Sequence, residues 1–295
     1  MRYEKIFLIG NPIAGGGAVE KIKKASEILK EQRIPFEILL TKKRGDGEIF
    51  AREIVEKYGN RKVIVLGAGG DGTYNEIVNG LVHSQVPLAI LPMGTTSVLA
   101  KELKIPKDMK KAVDLAIKGR VDRIHLAKIK NKEKQRFFIL MAGVGFDGKA
   151  VYNVDLKQKR YLRKIAYIIS GIKTLLKYKP KELKLTDGVR KKGYNAVICK
   201  ASCYGGNFKI APDADLRKPE LWIFLSKTES RVGLMMQILA VILGKHLGMK
   251  KVEYLRAENL KISGDAHVQI DGDYFGKAPV EIKVIKNALN LVFPE

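Results

Sequence analysis

Val63-Ile64-Val65-Leu66 is an unbroken apolar, mostly β-branched run, and it leads almost directly into Gly69-Gly70-Asp71-Gly72-Thr73. Beyond the loop, apolar side chains fall at 74, 77, 78 and 81, the spacing of one helix face. A buried strand, a glycine loop and a helix in immediate succession form the unit from which parallel α/β sheets are built, with the loop at the carboxyl end of the strand. Glycines there let the backbone come close to a ligand and turn its N–H groups outward. The helix N-terminus adds a field favourable to an anion. Asp71 would repel a bare phosphate, so it fits if Mg²⁺ lies between them, or if the carboxylate takes a proton or holds the loop. The combination points to a nucleotide-dependent phosphotransferase.

The same alternation extends over the first 120 residues. A strand over 5–9 ends in Asn11-Pro12-Ile13-Ala14-Gly15-Gly16-Gly17 and is followed by a helix over 18–31. A strand over 36–40 leads through Thr41 and Gly45-Asp46-Gly47 into a helix over 48–58. Strands over 63–66 and 87–91 come next, the second running into Pro92-Met93-Gly94-Thr95-Thr96, with helices around Val98, Leu99 and Leu103 and over 108–118. After Arg120 short strand-like runs separated by turn residues predict a β-rich region, interrupted by helical segments near 158–178 and 230–247. The expected organisation is an α/β domain over 1–121 and a β-rich sandwich domain over 122–285. The last segment, 286–295, is a candidate to pack back on the first domain.

The chain has 295 residues, long for one core, with 46% hydrophobic and 29% charged residues, which fits a globular protein rather than a disordered one. Cys199 and Cys203 are too few for a disulfide framework and suggest a reducing compartment. The first strand starts almost at Met1, leaving no room for a signal peptide, and no apolar run reaches the roughly 18 residues of a bilayer span. These features predict a cytoplasmic protein that touches membranes peripherally. Fifty-five Lys and Arg against 31 Asp and Glu give a formal charge of +24, enough to draw the chain toward polyanions. Part of that excess could equally reflect a lysine-rich composition suited to heat. No readable nucleic-acid module or aromatic stacking motif is present, so specific nucleic-acid recognition is not expected.

Three glycine loops at consecutive strand ends are hard to explain by turn chemistry alone, and none is a Walker A loop, because the Gly-Lys-Ser/Thr ending is missing. Asn11-Pro12 with its glycines, Gly69 through Leu81 and Leu91 through Leu103 together resemble the diacylglycerol kinase catalytic-domain family, a family of bacterial lipid kinases related to sphingosine and ceramide kinases. Ala142-Gly143-Val144-Gly145-Phe146-Asp147 fits the same pattern. The resemblance implies a nucleotide domain like that of phosphofructokinase and NAD kinase, a β-sandwich second domain, and ATP with Mg²⁺ bound between them. It assigns Asn11, Pro12, Ile13, Ala14 and Gly15, together with Gly69, Gly70, Asp71, Gly72, Thr73, Tyr74 and Asn75, to ATP, the second group cradling its phosphates. Thr41 and Thr96 match further nucleotide contacts. Glu76 would sit near the start of the helix, where its other reading is a helix-dipole carboxylate.

Asp271-Gly272-Asp273 follows the strand-like His267-Val268-Gln269-Ile270, and Asp-Gly between strands signals a type I′ hairpin. The resemblance places the general base here, on Asp271, acting on a lipid hydroxyl; Asp273 stands where the family pattern has Glu. Family members often hold a structural Mg²⁺ in a stretch like Pro212 to Leu221, but the usual Asp-Gly is Lys218-Pro219 in this chain, and a further expected aspartate is Val98. Asp215 remains, and the Lys218 ammonium is expected to replace the cation by pairing with it. Leu156 to Lys181 holds nine Lys or Arg and no acid, with apolar residues at helical spacing. Such a helix either lies on anionic phospholipid or packs on the β-domain with solvated lysines. The helix near 231–246, including His246, reads as core. The leading function is an ATP-dependent lipid kinase, diacylglycerol-like by default. The alternatives are an NAD kinase-like phosphotransferase and a non-catalytic nucleotide sensor at a membrane surface.

Overall fold

The structure is a computed structural model that describes residues 2–94, 97–154, 171 and 173–294. Thr96 and most of the basic stretch from Leu156 to Lys181 lie outside the described residues, so the structure does not bear on the expectations placed on them. The chain divides into two compact units, Met1–Leu126 with Ile285–Glu295, and Ala127–Val284.

In the first unit, β1 (Lys5–Gly10), β2 (Phe36–Leu40), β3 (Val63–Gly69) and β4 (Leu88–Pro92) form a parallel sheet in the order β2-β1-β3-β4. All of β3 is buried and β1 is buried from Ile6 onward, the near-continuous apolar pattern of strands covered on both faces. The helices are α1 (Ala18–Glu31), α2 (Asp46–Tyr58), α3 (Asp71–Leu81), α4 (Val98–Glu102) and α5 (Met109–Lys118). The apolar face of α3 behaves as its spacing predicts, with Tyr74, Ile77, Val78 and Leu81 buried. The chain leaves β1 to form β2 on one side, then returns to place β3 on the other. This reversal makes a topological switch point between β1 and β3, and such crevices at the carboxyl ends of the strands are where open α/β sheets bind ligands.

The second unit is a sandwich. One sheet runs β14 (Val252–Ala257), β13 (Leu221–Ser226), β10 (Asn195–Cys199), β7 (Met141–Val144), β16 (His267–Ile270) and β17 (Asp273–Lys277), antiparallel throughout. Against it lies a layer built from β8 (Leu183–Asp187), β9 (Val189–Gly193), β15 (Asn259–Ser263) and the first part of β18 (Val280–Phe293). The remaining strands of this layer are β6 (Gln135–Phe138) and the end of β5 (Arg120–Lys130). Alternating residues from the two layers, among them Ala142, Ile198 and Ile223 from one and Leu185, Ile262 and Ile282 from the other, share a single core. A separate antiparallel pair joins β11 (Cys203–Tyr204) to β12 (Phe208–Lys209). Strands β9, β11, β12, β14 and β17 escape the sequence pattern. They are lysine-rich, half-buried or turn-adjacent, so alternation in them is weak.

Helix α6 (Phe146–Tyr152) and helix α7 (Arg231–Ile242) belong to this unit. The expectation that the 231–246 helix is core is not met. Val232, Met235, Met236, Leu239, Ile242 and the following Leu243 are all exposed, while Gln237 is turned inward. An almost uniformly apolar helix has no polar face by which its sequence could reveal the solvent side. His246 does lie inside, 1% exposed, with its Nε2 2.9 Å from the Ile210 carbonyl.

Candidate active site

In the first unit the glycine loops converge at the switch point. Asn11 follows β1, and its amide donates to the Thr73 hydroxyl (3.1 Å), joining the first loop to the third. The Asn11 side-chain oxygen accepts from the Ile13 N–H (3.1 Å), folding the first loop into an Asx turn. Thr41 continues β2, its N–H bonded to the Gly10 carbonyl (2.8 Å), and its side chain is buried at the strand end.

Gly69 and Gly70 are glycines for different reasons. A Cβ on Gly69 would stand 2.6 Å from the Thr73 Cβ, so the chain needs glycine there to close its own turn. Gly70 is extended (φ −116°, ψ −176°), a conformation open to any residue, and a Cβ there would meet nothing within 4 Å. Gly16 likewise has open space where a side chain would be. Gly70, just ahead of α3, leaves an open cradle beside its backbone where a ligand can come close, and Gly16 is open in the same way. By helix geometry the N–H groups of Gly72 and Thr73 in the first turn of α3 have no intrahelical acceptor, as suits phosphate oxygens.

Asp71 does not confront that cradle with a bare charge. Its carboxylate accepts from the N–H groups of Val98 and Leu99 (2.9 Å each), capping α4 and tying the β3 loop to the β4 loop. Tyr74 is a strut rather than a contact surface. Its ring is wholly buried and its single hydroxyl proton is shared between the carbonyls of Gly69 (2.7 Å) and Leu91 (3.0 Å). Burial, reinforced by the Asp71 charge, holds that hydroxyl protonated far above the usual phenol range. Asn75 is also buried and faces Asn79, whose amide donates to the Asn75 carbonyl (2.8 Å). Glu76 is in the second turn of α3 and does not cap its own helix. It accepts from Gly45 N–H (2.9 Å) and Gly47 N–H (3.2 Å), so it serves the N-terminus of α2. Asp46 completes that turn by accepting from Lys42 and Lys43 N–H, and these bonds hold its carboxyl below the usual range.

In the second unit Asp271 and Gly272 form the two-residue turn between β16 and β17, with φ of 48° and 86°, as a type I′ turn requires. The Asp271 carboxylate, 7% exposed, accepts three backbone N–H bonds: Oδ2 from Ile139 (3.0 Å), Oδ1 from Leu140 (2.9 Å) and Met141 (3.0 Å). Its own N–H bonds the Met141 carbonyl (2.9 Å). The carboxylate is therefore fixed in orientation.

Asp147 ends the Ala142–Asp147 motif, and nothing in the sequence marks a role for it. Here it is half-buried, with the Tyr204 hydroxyl donating to Oδ1 (2.6 Å) and the Gln269 amide to Oδ2 (2.6 Å). Gln269 accepts in turn from the Gly272 N–H (2.8 Å), so a continuous chain of hydrogen bonds runs from the Asp-Gly turn to Asp147. Burial raises the Asp147 carboxyl above its ordinary range, against the lowering effect of its two donors. Gly143 makes the arrangement possible, because a Cβ there would fall 1.9 Å from the Asp147 carboxylate. The described end of the basic stretch, with Lys149, His267 and Lys277, lines a cavity of about 890 Å³. Burial, then the charges of Lys149 and Lys277, push the His267 imidazole below its ordinary value.

The stretch from 212 to 221 does not fit a divalent cation, and the expected Lys218–Asp215 pair is replaced by a different arrangement. The Asp215 carboxylate is taken by Arg217, through Nε to Oδ1 (3.1 Å) and Nη2 to Oδ2 (3.0 Å). Burial opposes ionisation of Asp215, but Arg217 overcomes it and holds the carboxyl below the usual range. The cation in the loop is Lys200, wholly buried, whose ammonium donates to the carbonyls of Asp215 (2.7 Å) and Lys218 (2.9 Å). An ammonium on these carbonyls repels a hard cation that would need several oxygen ligands of its own. Among the described residues no group of three or more His, Cys, Asp or Glu is placed to hold a metal.

Comparison with known proteins agrees with this fold. Residues 5–129 match the family model of the diacylglycerol kinase catalytic domain, and residues 141–293 match that of the YegS C-terminal NAD kinase beta sandwich-like domain. A diacylglycerol kinase of Bacillus subtilis (strain 168) is 29% identical over 240 residues, spanning 79% of this chain and 78% of that protein. One from Staphylococcus saprophyticus is 26% identical over 297 residues, spanning 97% and 94%. The crystal structure of a diacylglycerol kinase from Bacillus anthracis str. Sterne superposes with a TM-score of 0.73 at 20% identity, covering 99% of this chain and 98% of that one. A further structure from that organism reaches 0.82 at 23% identity, covering 99% and 96%. At these identities the superpositions speak for the fold, while the two family models between them account for nearly the whole chain. With an α/β unit, a β-sandwich unit and the motif loops at their strand ends, the chain belongs to the diacylglycerol kinase catalytic-domain family.

Proposed function

We propose that this protein is an ATP-dependent lipid kinase that phosphorylates a hydroxyl of a diacylglycerol-like lipid at an anionic membrane surface. The observation that carries this reading is the switch point of the first unit, where Asn11 joins two glycine loops through Thr73 and the Cβ positions of Gly16 and Gly70 stand open. In this reading the phosphates of ATP lie along Gly69 to Asn75 at the N-terminus of α3, with backbone N–H groups as donors. Asn11 to Gly15, Thr41 and Thr96 serve the rest of the nucleotide. Tyr74 and Asn75 act indirectly, by fixing the loop from beneath.

Asp271 is the proposed general base. It accepts the proton of the lipid hydroxyl as that oxygen bonds to the γ-phosphorus, the bond from γ-phosphorus to the β,γ-bridging oxygen breaks, and ADP leaves. An ordinary carboxylate is a weak base for an alcohol, so its contribution is position more than basicity. The three N–H bonds that orient Asp271 supply that position, and the Gln269–Asp147 chain steadies the turn. Mg²⁺ bound with ATP would neutralise charge on the transferring phosphoryl group, as such transfers generally need.

The test is transfer of label from γ-³²P-ATP to a panel of lipid alcohols, with NAD included as an acceptor, for wild type and Asp271→Asn. Label should appear in a lipid, and the variant should lose a factor of about 10²–10⁴ in rate while still binding nucleotide. Label in NAD would favour the NAD kinase-like alternative, and nucleotide binding with no transfer to any acceptor would favour a sensor. Transfer that survives the substitution would remove Asp271 from the base role.

A further inference from the structure

Helix α7 presents Val232, Met235, Met236, Leu239 and Ile242 at successive spacings of three, one, three and three residues, which is one helical stripe. Their exposures are 67, 43, 52, 46 and 49%, and Leu243 beyond the helix end is 68% exposed. The inward side is held instead by Leu234 and by Gln237, whose amide donates to the Lys251 carbonyl (3.0 Å). A helix that buries a glutamine and exposes a contiguous apolar stripe is turned outward for a partner, since scattered single apolar residues need no explanation but a row of them does.

The surroundings state what kind of partner. Arg231, Lys245, Lys250 and Lys251 flank the stripe and are all exposed. The single acid between 228 and 251 is Glu229, and the Tyr194 hydroxyl is hydrogen-bonded to it. Beside the stripe, a crevice of about 250 Å³ is lined by Gly233, Met236 and Met249, with Lys250 and Lys251 on its wall. Apolar side chains framed by lysines match a bilayer interface, where the stripe enters the acyl boundary and each lysine near an anionic surface contributes about 1 kcal/mol. A second copy of this chain is a poorer match, because it would bring another basic rim from a protein of formal charge +24 against this one.

We propose that α7 and its 245–251 rim form the face by which this protein docks on an anionic lipid bilayer. The proposal rests on the reading of the chain as a lipid kinase only in that such an enzyme must reach an acceptor held in a membrane. Docking can be measured without catalysis, so the two stand or fall separately.

The experiment is co-sedimentation of the full chain with vesicles of phosphatidylcholine alone and of phosphatidylcholine doped with phosphatidylglycerol. The variants are Met235→Glu with Leu239→Glu, and Lys250→Glu with Lys251→Glu. All four positions are on the surface, so melting temperature should stay near that of wild type. Wild type should bind the doped vesicles and lose binding at high salt, and each double variant should weaken it at least about tenfold, or roughly 1.4 kcal/mol. If the chain is a kinase, transfer to detergent-dispersed lipid should be unchanged in both variants while transfer to vesicle-borne lipid falls. Vesicle binding equal in wild type and the Met235/Leu239 variant overturns the docking face, even if lipid is phosphorylated. The same is true of a dimer, seen by light scattering, that this variant dissociates without affecting vesicle binding. Loss of vesicle binding in a chain that phosphorylates nothing would leave the docking face standing and the kinase reading fallen.

Discussion

Asp71 in the first unit and Asp271 in the second are motif aspartates in glycine-containing turns, and both carboxylates are spent on backbone N–H groups of another segment. Asp71 accepts two such bonds from the start of α4, and Asp271 accepts three from the 139–141 backbone. Their settings differ. Asp71 starts a helix at the carboxyl end of a parallel strand, beside a glycine whose side-chain space is open. Asp271 is in a tight left-handed turn between antiparallel strands, 7% exposed and backed by the Gln269–Asp147 chain. The first arrangement ties the β3 loop to the start of α4. The second immobilises one carboxylate. A charged group in a glycine-containing motif need not touch substrate to shape a site, and it is the settings of these two aspartates, not the bonding pattern they share, that separate an organiser of loops from a candidate reactant.

The largest expected effect tests that distinction directly. Asp71→Asn and Asp271→Asn should each lose about 1–3 kcal/mol of stability in denaturant titrations, because the new amide NH₂ opposes a backbone N–H. Transfer should fall about 10²–10⁴-fold in Asp271→Asn. In Asp71→Asn the main loss should be nucleotide affinity, read by calorimetry. If both variants lose transfer only in proportion to their loss of folded protein, the two aspartates are equivalent and the comparison breaks.

Lys200→Met asks whether an internal cation organises the 212–221 loop. It leaves two carbonyls without their ammonium and should cost about 1–3 kcal/mol. The melting temperature of the nucleotide-free wild type should be the same in EDTA as in Mg²⁺. A Mg²⁺-dependent rise that Asp215→Asn abolishes would restore a divalent site and contradict this assignment. The adjacent glycines give a finer contrast. Gly69→Ala should destabilise by about 1–3 kcal/mol through its clash with Thr73. Gly70→Ala should stay within about 0.5 kcal/mol of wild type yet bind nucleotide about tenfold more weakly.

The smallest effect is a pH dependence. Burial raises the Asp147 carboxyl, so its contribution to stability is full below the unfolded-state value and is lost as pH rises through the folded-state value. The stability of wild type relative to Asp147→Asn should therefore decline from acid toward neutral pH, as read by urea unfolding at several pH values. A flat difference would mean that the two donors, Tyr204 and Gln269, cancel the effect of burial, and a difference that grows with pH would mean that they outweigh it.

The glycine loops were legible because their chemistry is local. Strand, loop and helix follow within twenty residues, and the helix face of Tyr74, Ile77, Val78 and Leu81 is written in spacing alone. Asp271-Gly272 was legible for the same reason, as a turn signal between two strands. Lys200 was not, because one lysine among 55 Lys and Arg gives no local sign that its ammonium meets the carbonyls of residues 215 and 218. Gln269 and Tyr204 are similarly silent until the sandwich brings them to Asp147.

The sequence by itself determined the parallel α/β unit, the β-rich unit and the family, since these rest on periodicity and on motifs of contiguous residues. Only the tertiary structure decided which charges are spent on holding loops. It turned Glu76 toward the neighbouring α2, gave Asp215 to Arg217 and placed Lys200 in the loop expected to carry a metal or Lys218. It also decided that α7 faces outward, because a helix apolar on every side carries no sequence record of which side is covered. Spacing along the chain fixes what each element can bury, whereas partners distant in sequence become neighbours only when the elements pack.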